Sequence, residues 1–270
     1  MEKTSTDTDE FVAFAARLAD AARGETLPRF RAGSTIVNKA QAGFDPVTEA
    51  DREAERVQRL LISATFPDHG IVGEEFGAEK ADAEWRWVLD PVDGTRAFVC
   101  GAASWATLIA LERHQRPIIG VIDQPYMNER WIGARERTVF RRGEAQTVCK
   151  TSDVRELSLA RVSTTDPRGT GYFSPEEADA FGAVASSARV ARFSLDAYAY
   201  GLLALGELDL VIEAALQRHD FAALVPVIEG AGGVITNWRG QAPGEDDRGR
   251  IIAAATPELH EEALKLLRDV

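Results

Sequence analysis

The chain has 270 residues, enough for one large domain or two fused halves around a buried core. Hydrophobic residues make up 45% and charged residues 27%, which excludes bulk disorder and collagen, and two cysteines exclude a disulfide scaffold. With 31 basic and 43 acidic residues the net charge is −12, which argues against nucleic-acid and anionic-membrane partners. Two meanings of the acidic excess remain: a self-repelling soluble surface, or carboxylates gathered around hard cations.

Residues 1–9 are polar and are expected to form a flexible lead, with no apolar run of the signal-peptide kind. Phe11, Phe14, Ala15, Leu18, Ala19 and Ala22 then fall at helical spacing, with Gly24 as a stop. A second helix is expected from Thr48, with the stripe Ala50, Ala54, Val57 and Leu61. Ile71-Val72 and Trp85–Leu89 read as strands, and Ala106–Leu111 with Pro117–Ile122 read as a hairpin around His114-Gln115-Arg116. Strands at Trp131–Ala134 and Thr138–Phe140 continue a strand-rich middle. The rhythm changes near residue 150, so residues 10–150 and 151–270 are expected to be two subdomains sharing an interface. The second half offers a strand at Arg161–Thr164, a helix near Ser174, and a helix from Asp196 to Leu205. It continues with a strand at Leu210–Glu213 and a helix from Asp220, kinked at Pro226 and ended by Gly232-Gly233. Thr256-Pro257 opens a last helix. The whole is a mixed α/β chain of helices layered on sheet. Cys100 and Cys149 fit no C-x-x-C pattern and read as buried reduced thiols of a cytoplasmic protein. No apolar run nears the ~20 residues of a membrane span.

Four acidic segments carry the chemistry. Asp90-Pro91-Val92-Asp93-Gly94-Thr95 follows an apolar strand. Two carboxylates on one tight turn can converge on a cation, beside a helix start whose free N–H groups favour phosphate; capping aspartates in an ordinary turn would look the same. Gly73-Glu74-Glu75 places Glu74 at a strand's C-terminal edge, where α/β ligand sites gather, or else in a solvated loop. In Asp45-Pro46-Val47-Thr48-Glu49-Ala50-Asp51, Thr48 and Asp51 make a capping box, and Asp51 could also face a metal cluster. Asp220 reads as a helix N-cap with no need of metal. His69, His114, His219 and His260 match no zinc spacing, and serine-hydrolase and P-loop motifs are absent.

Taken together, these segments resemble the inositol monophosphatase family of Mg²⁺-dependent phosphatases. Its D-P-[IVL]-D-G-T motif is similar to Asp90–Thr95, its G-E-E to Gly73–Glu75, and its V-T-x-x-D to Val47–Asp51. Its D-x-A-A and E-A-G-G elements resemble Asp220–Ala223 and Glu229–Gly233. Asp93-Gly94-Thr95-Arg96, Gly120–Pro125, Asp196–Gly201 and Ala223–Gly230 are most similar to the histidinol-phosphatase branch, whereas His219 departs from the usual Trp or Tyr.

The resemblance implies a layered αβαβα sandwich, with most metal ligands in residues 10–150 and residues 151–270 completing the site. It implies two to three Mg²⁺ ions: one on Glu74, Asp90 and the Val92 carbonyl, one on Asp90, Asp93 and Asp220, and a weaker one on Glu74 and water. It implies catalytic roles for Glu74, Thr95 and Asp51, with Thr95 hydrogen-bonded towards Asp51 to orient the attacking water. Gly94 and Thr95 would cradle the phosphate, and Asp93, Arg96, Asp196 and Glu213 would face the substrate, the last two at the cationic end of histidinol phosphate; a strand end at Glu213 and a helix cap at Asp196 would look the same. A homodimer and a small phosphorylated substrate follow from the same likeness. Competing readings are an inositol-1-phosphate or broad sugar phosphatase, and a family member acting as a binding factor.

Overall fold

The computed structural model describes residues 4–33, 36–38, 46–134, 136–168, 171–244, 248–268 and 270. Helix α1 (Thr4–Thr26) starts inside the segment expected to be a lead. Ser, Thr and Asp are unfavourable in helix interiors but suit the first turns, so this polar opening does not prevent a helix. The helix also passes Gly24; an interior glycine costs about 1 kcal/mol against alanine, less than burying one of Phe14 or Leu18 returns.

A short ribbon of β1 (Ile36–Asn38) and β2 (Pro46–Thr48) leads into α2 (Glu49–Thr65); Asp45 lies outside the described residues. Thr48 caps α2 in the expected box with Asp51. Then come β3 (Gly70–Gly73), β4 (Gly77–Glu79), β5 (Trp85–Asp93), α3 (Thr95–Val99) and β6 (Ala106–Arg113). β7 (Arg116–Gln124), β8 (Glu129–Ala134), β9 (Arg137–Arg142) and β10 (Ala145–Val148) complete an eight-stranded sheet of order β10-β9-β8-β7-β6-β5-β3-β4. Only the β3–β5 pair in it is parallel.

The second half runs β11 (Arg161–Thr164), α4 (Pro175–Ser187), β12 (Val190–Phe193), α5 (Tyr198–Ala204) and β13 (Leu210–Glu213). It ends α6 (Arg218–Phe221), α7 (Leu224–Gly230), β14 (Val234–Asn237), β15 (Ile251–Ala254) and α8 (Pro257–Leu267). Its sheet has the order β12-β11-β13-β15-β14. The single kinked helix expected from Asp220 is two helices, broken at Ala222-Ala223. Pro226 sits in the first turn of α7, where a missing N–H removes no intrahelical bond.

Strand alternation distributes the apolar side chains over three large cores, beside a small one of Phe30, Ala50, Val92, Phe98 and Trp105. Trp87 and Leu89 of β5, Ile109 and Leu111 of β6, and Val121 of β7 pack against Phe14 and Leu18 of α1 and Ile62 of α2. The alternate residues Val88, Leu108 and Ile122 face the other way, onto α5 and α7 and, beyond them, Val211 and Ala253 of the second sheet. Leu210, Ile212 and Ile252 meet Phe181 of α4 and Leu259 and Leu264 of α8. Each such side chain stabilises the fold by roughly 1.5–3 kcal/mol when fully buried. The resulting layers are α1/α2, sheet, α5/α7, sheet, α4/α8, the αβαβα sandwich expected. The middle core draws on both sides of residue 150, so the halves share apolar surface.

Cys149 is buried, and burial pushes its thiol up to about 12. Cys100 is exposed instead of buried, because it ends the short helix α3 on an outer turn. Among the described residues no helix is long and apolar enough to cross a membrane.

Candidate active site

β5 carries two aspartates three positions apart, which in a regular strand would point to opposite faces. Here Asp90 pairs with Leu108 and Asp93 with Ala106, so three steps on β5 oppose two on β6. This bulge turns both carboxylates to one side. It is held by Asp90 Oδ1 accepting from Val92 N at 3.1 Å and by Thr107 Oγ1 donating to the Pro91 carbonyl at 2.8 Å. Gly94 follows at φ 76°, a left-handed conformation that glycine adopts without penalty, and opens α3. A Cβ there would also lie 2.8 Å from Asp196 Cγ.

The third carboxylate arrives from the other half. Asp220 occupies the third position of α6, where Gln217 N donates to its Oδ2 at 2.6 Å; Gln217, not Asp220, is the N-cap. Ligand-capable oxygens of Asp90, Asp93 and Asp220 lie within 4.8 Å of one another. Burial pushes the Asp90 carboxyl well above the ordinary range, reinforced by repulsion from Glu74, Asp93 and Asp220. Burial raises Asp93 in the same way, reinforced by Asp196 and Asp220, and burial also raises Asp220. Three hard oxygen donors, Asp90 buried and Asp93 and Asp220 half-buried, repel one another and fit a divalent cation, which relieves the repulsion and replaces the lost water.

Glu74 leaves the end of β3 with its N–H on the Leu89 carbonyl at 3.2 Å. The next two N–H groups, of Glu75 and Phe76, donate to the buried Glu55 carboxylate of α2 at 2.7 and 3.2 Å. Glu55 in turn accepts from Arg59 Nε at 2.7 Å, so α2 fixes the Glu74 loop.

Asp51 does two things at once. Its Oδ2 accepts from Thr48 N at 2.9 Å and Thr48 Oγ1 at 2.6 Å, as a cap. Its Oδ1 faces Thr95 Oγ1 at 3.4 Å, and Thr95 Oγ1 also lies 3.1 Å from the Val92 carbonyl oxygen. Burial pushes Asp51 up to about 6, against the lowering effect of the Thr48 hydrogen bonds.

A cavity of about 450 Å³ joins these groups to the second half. Glu74, Asp90, Val92, Asp93, Gly94, Thr95, Arg96, Asp196, Glu213 and Asp220 all line it, while Asp51 lies behind Thr95, off the wall. Asp196 accepts from Ser104 Oγ at 2.9 Å, and the next N–H, of Ala197, donates to Asp93 Oδ2 at 2.7 Å. Glu213, 3% exposed at the end of β13, accepts from Thr164 and Thr165 hydroxyls at 3.2 and 2.9 Å. Burial pushes it up to about 8, beyond what the Thr165 bond recovers. The Arg96 guanidinium sits 4.8 Å over the Tyr172 ring, a cation–π contact at the cavity wall. Thr165, Tyr172 and Gln217 line the cavity without having been expected there. Thr165 follows β11 at the C-terminal edge of the parallel β11–β13 pair, a position that by itself points to ligand contact. His219 is a cavity residue as well, its Nε2 3.5 Å from Asp220 Oδ1.

The inositol monophosphatase family profile matches residues 7–270. The bifunctional phosphatase IMPL2 of Arabidopsis thaliana, a chloroplastic protein, is 41% identical over 98% of this chain and 77% of its own length. The histidinol-phosphatase of Mycobacterium tuberculosis is 33% identical over 93% of this chain and 95% of its own. The solved structure of an inositol monophosphatase from Zymomonas mobilis superposes with a TM-score of 0.86 at 40% identity, covering 98% of this chain and 100% of that one. Geometry, sequence and fold agree: the chain belongs to the inositol monophosphatase family and is a phosphatase.

Proposed function

We propose that the chain hydrolyses L-histidinol phosphate to L-histidinol and phosphate, a step of histidine biosynthesis. The observation that carries this is the acidic wall: half-buried Asp196 and buried Glu213 share the cavity with the carboxylate triad, more negative charge than a neutral polyol needs for its hydroxyls. An ammonium and an imidazole call for it, because a cation offsets the cost of ionising a buried carboxylate. Names among the relatives support the reading, since a histidinol-phosphatase matches along nearly its whole length.

Asp90, Asp93 and Asp220, with Glu74 and the Val92 carbonyl, would hold two to three Mg²⁺ ions. Bound there, Mg²⁺ supplies charge neutralisation for the phosphoryl oxygens and makes water more acidic. The protein does the rest. The first-turn N–H groups of α3, at Gly94 and Thr95, have no intrahelical acceptor and receive the phosphate. Thr95 Oγ1 orients the attacking water, and Asp51 Oδ1 behind it takes up the proton. A carboxyl held at about 6 is well placed for that near neutral pH. Arg96, stacked on Tyr172, borders the substrate. The reading includes a homodimer in a reducing compartment such as the cytoplasm, in keeping with two free cysteines.

A second reading, an inositol-1-phosphate phosphatase, is favoured by the 40% identity with the Zymomonas mobilis structure. Phosphate release with Mg²⁺ decides between them, comparing L-histidinol phosphate with inositol 1-phosphate, each with and without chelator. Chelator-sensitive preference for histidinol phosphate is expected. Preference for inositol phosphate refutes the substrate assignment and keeps the metal site.

A further inference from the structure

Asp90 and Asp93 are fixed by an eight-stranded sheet, but Asp220 rides on a helix of four residues. Its capping box with Gln217 is local and orients nothing against the sheet. Phe221 packs into the middle core without fixing direction, and Arg218, two residues before Asp220, makes the polar long-range connection. Its Nε and Nη2 donate to Glu112 Oε1 at 2.9 and 2.6 Å, and Nη2 also donates to the Gln115 carbonyl at 2.5 Å.

Glu112 is fully buried on β6 and pairs in register with Arg86 of β5. Arg86 Nε donates to its other oxygen, Oε2, at 2.7 Å, and Arg86 Nη1 donates to the Ala81 carbonyl at 3.2 Å. Each oxygen of one carboxylate is therefore taken by a different guanidinium. One of these belongs to the strand that carries Asp90 and Asp93, the other to the helix that carries Asp220. A guanidinium fork fixes direction as well as distance, and a buried carboxylate cannot exchange it for water.

We infer that Arg218 is a positioning residue: its clasp on Glu112 sets the distance of Asp220 from Asp90 and Asp93, and through it the cation affinity of the site. This rests on the reading of Asp220 as a cation ligand. Loss of the clasp lets α6 shift, so more metal is needed to draw the three carboxylates together, while turnover at saturating metal is kept.

The test uses the full chain, with Mn²⁺ binding followed by electron paramagnetic resonance, the Mg²⁺ half-saturation of phosphate release, and Tm. Arg218→Met is expected to weaken Mn²⁺ binding and raise the Mg²⁺ half-saturation about tenfold, as loss of a ligand-orienting partner does, with kcat at saturating Mg²⁺ within about threefold. Glu112→Gln is expected to give the same shift, and the double variant no more than either. Arg250→Met removes a comparably buried ion pair, Arg250–Glu177 at 2.7 Å, from the same half. It is expected to lower Tm and leave Mn²⁺ affinity alone. Unchanged Mn²⁺ affinity in folded Arg218→Met, or an equal change in Arg250→Met, overturns the clasp. Should Arg218→Met not fold, Arg218→Lys, which keeps the charge and loses the fork, carries the same expectation and the same refutation. Asp220→Asn separates the two layers: no Mn²⁺ effect there removes the ligand reading and the clasp with it, whereas weakened binding there beside unchanged Arg218 variants removes the clasp alone.

Discussion

Glu213→Gln in metal-stripped protein exposes the electrostatics of the cavity wall without any substrate. Burial moves the Glu213 carboxyl from 4.5 to about 8 in the folded chain. Between those values the folded chain holds a proton that the unfolded chain has released, so stability is greatest below the unfolded pKa and falls as pH rises through about 8. At 1.36 kcal/mol per pH unit the full cost of ionising Glu213 is about 5 kcal/mol. With an unfolding entropy of about 2.1 cal/mol/K per residue, that is about 9 °C in Tm for this chain. Glutamine does not ionise, but its amide nitrogen cannot accept from Thr164 or Thr165, a loss of about 1 kcal/mol at every pH. The variant should therefore be about as stable as wild type at pH 5, where ionisation of the unfolded chain already offsets the lost hydrogen bond, and about 4 kcal/mol more stable at pH 9. Thermal melts in chelator across that range measure both. Parallel melting curves for the two proteins would refute the claim that Glu213 is ionised at the expense of the fold.

Asp93→Asn should reduce phosphate release at least about a hundredfold while circular dichroism shows an unchanged fold, because an amide offers the cation a weaker ligand; retained Mg²⁺-dependent activity would sink the ligand assignment. Thr95→Val removes the hydroxyl between Asp51 and the Val92 carbonyl, so kcat should fall by about 10²–10⁴ with KM within about twofold; a change confined to KM would speak against the proton path. At Gly73 a Cβ would lie 1.9 Å from Glu55 Oε1, and that carboxylate is locked by Arg59 and two backbone N–H groups. Gly73→Ala should cost about 1–3 kcal/mol of stability and raise the Mg²⁺ half-saturation; an unaltered Tm and metal requirement would show that the Glu55 anchor does not hold the Glu74 loop.

What the sequence makes legible are features set by neighbours in the chain. Thr48-x-x-Asp51, Ser174-Pro175 and Thr256-Pro257 each open a helix where the local chemistry demands one, and Leu210–Glu213 is a strand of the expected extent. β15 is not legible, because it lies between two strands with both faces buried and shows no alternation to read. The helix break at Ala222-Ala223 is hidden because alanine favours helix and both residues keep right-handed helical backbone angles, the helix being interrupted there without a change of conformation.

The same division runs through the site. Asp90, Asp93, Glu74 and Asp220 stand out because each sits at a strand end or helix start. Their convergence does not stand out, because it depends on partners far away in sequence. The bulge that turns Asp90 and Asp93 together exists only once β6 pairs with β5. Glu55 reaches the Glu74 loop from twenty residues back, and Glu112 reaches α6 across 106. A carboxylate cluster of this kind is locally written and remotely held. Its acidic residues can be found by motif, whereas the buried ion pairs that hold their elements together, Arg59–Glu55 and Arg218–Glu112, have no motif of their own.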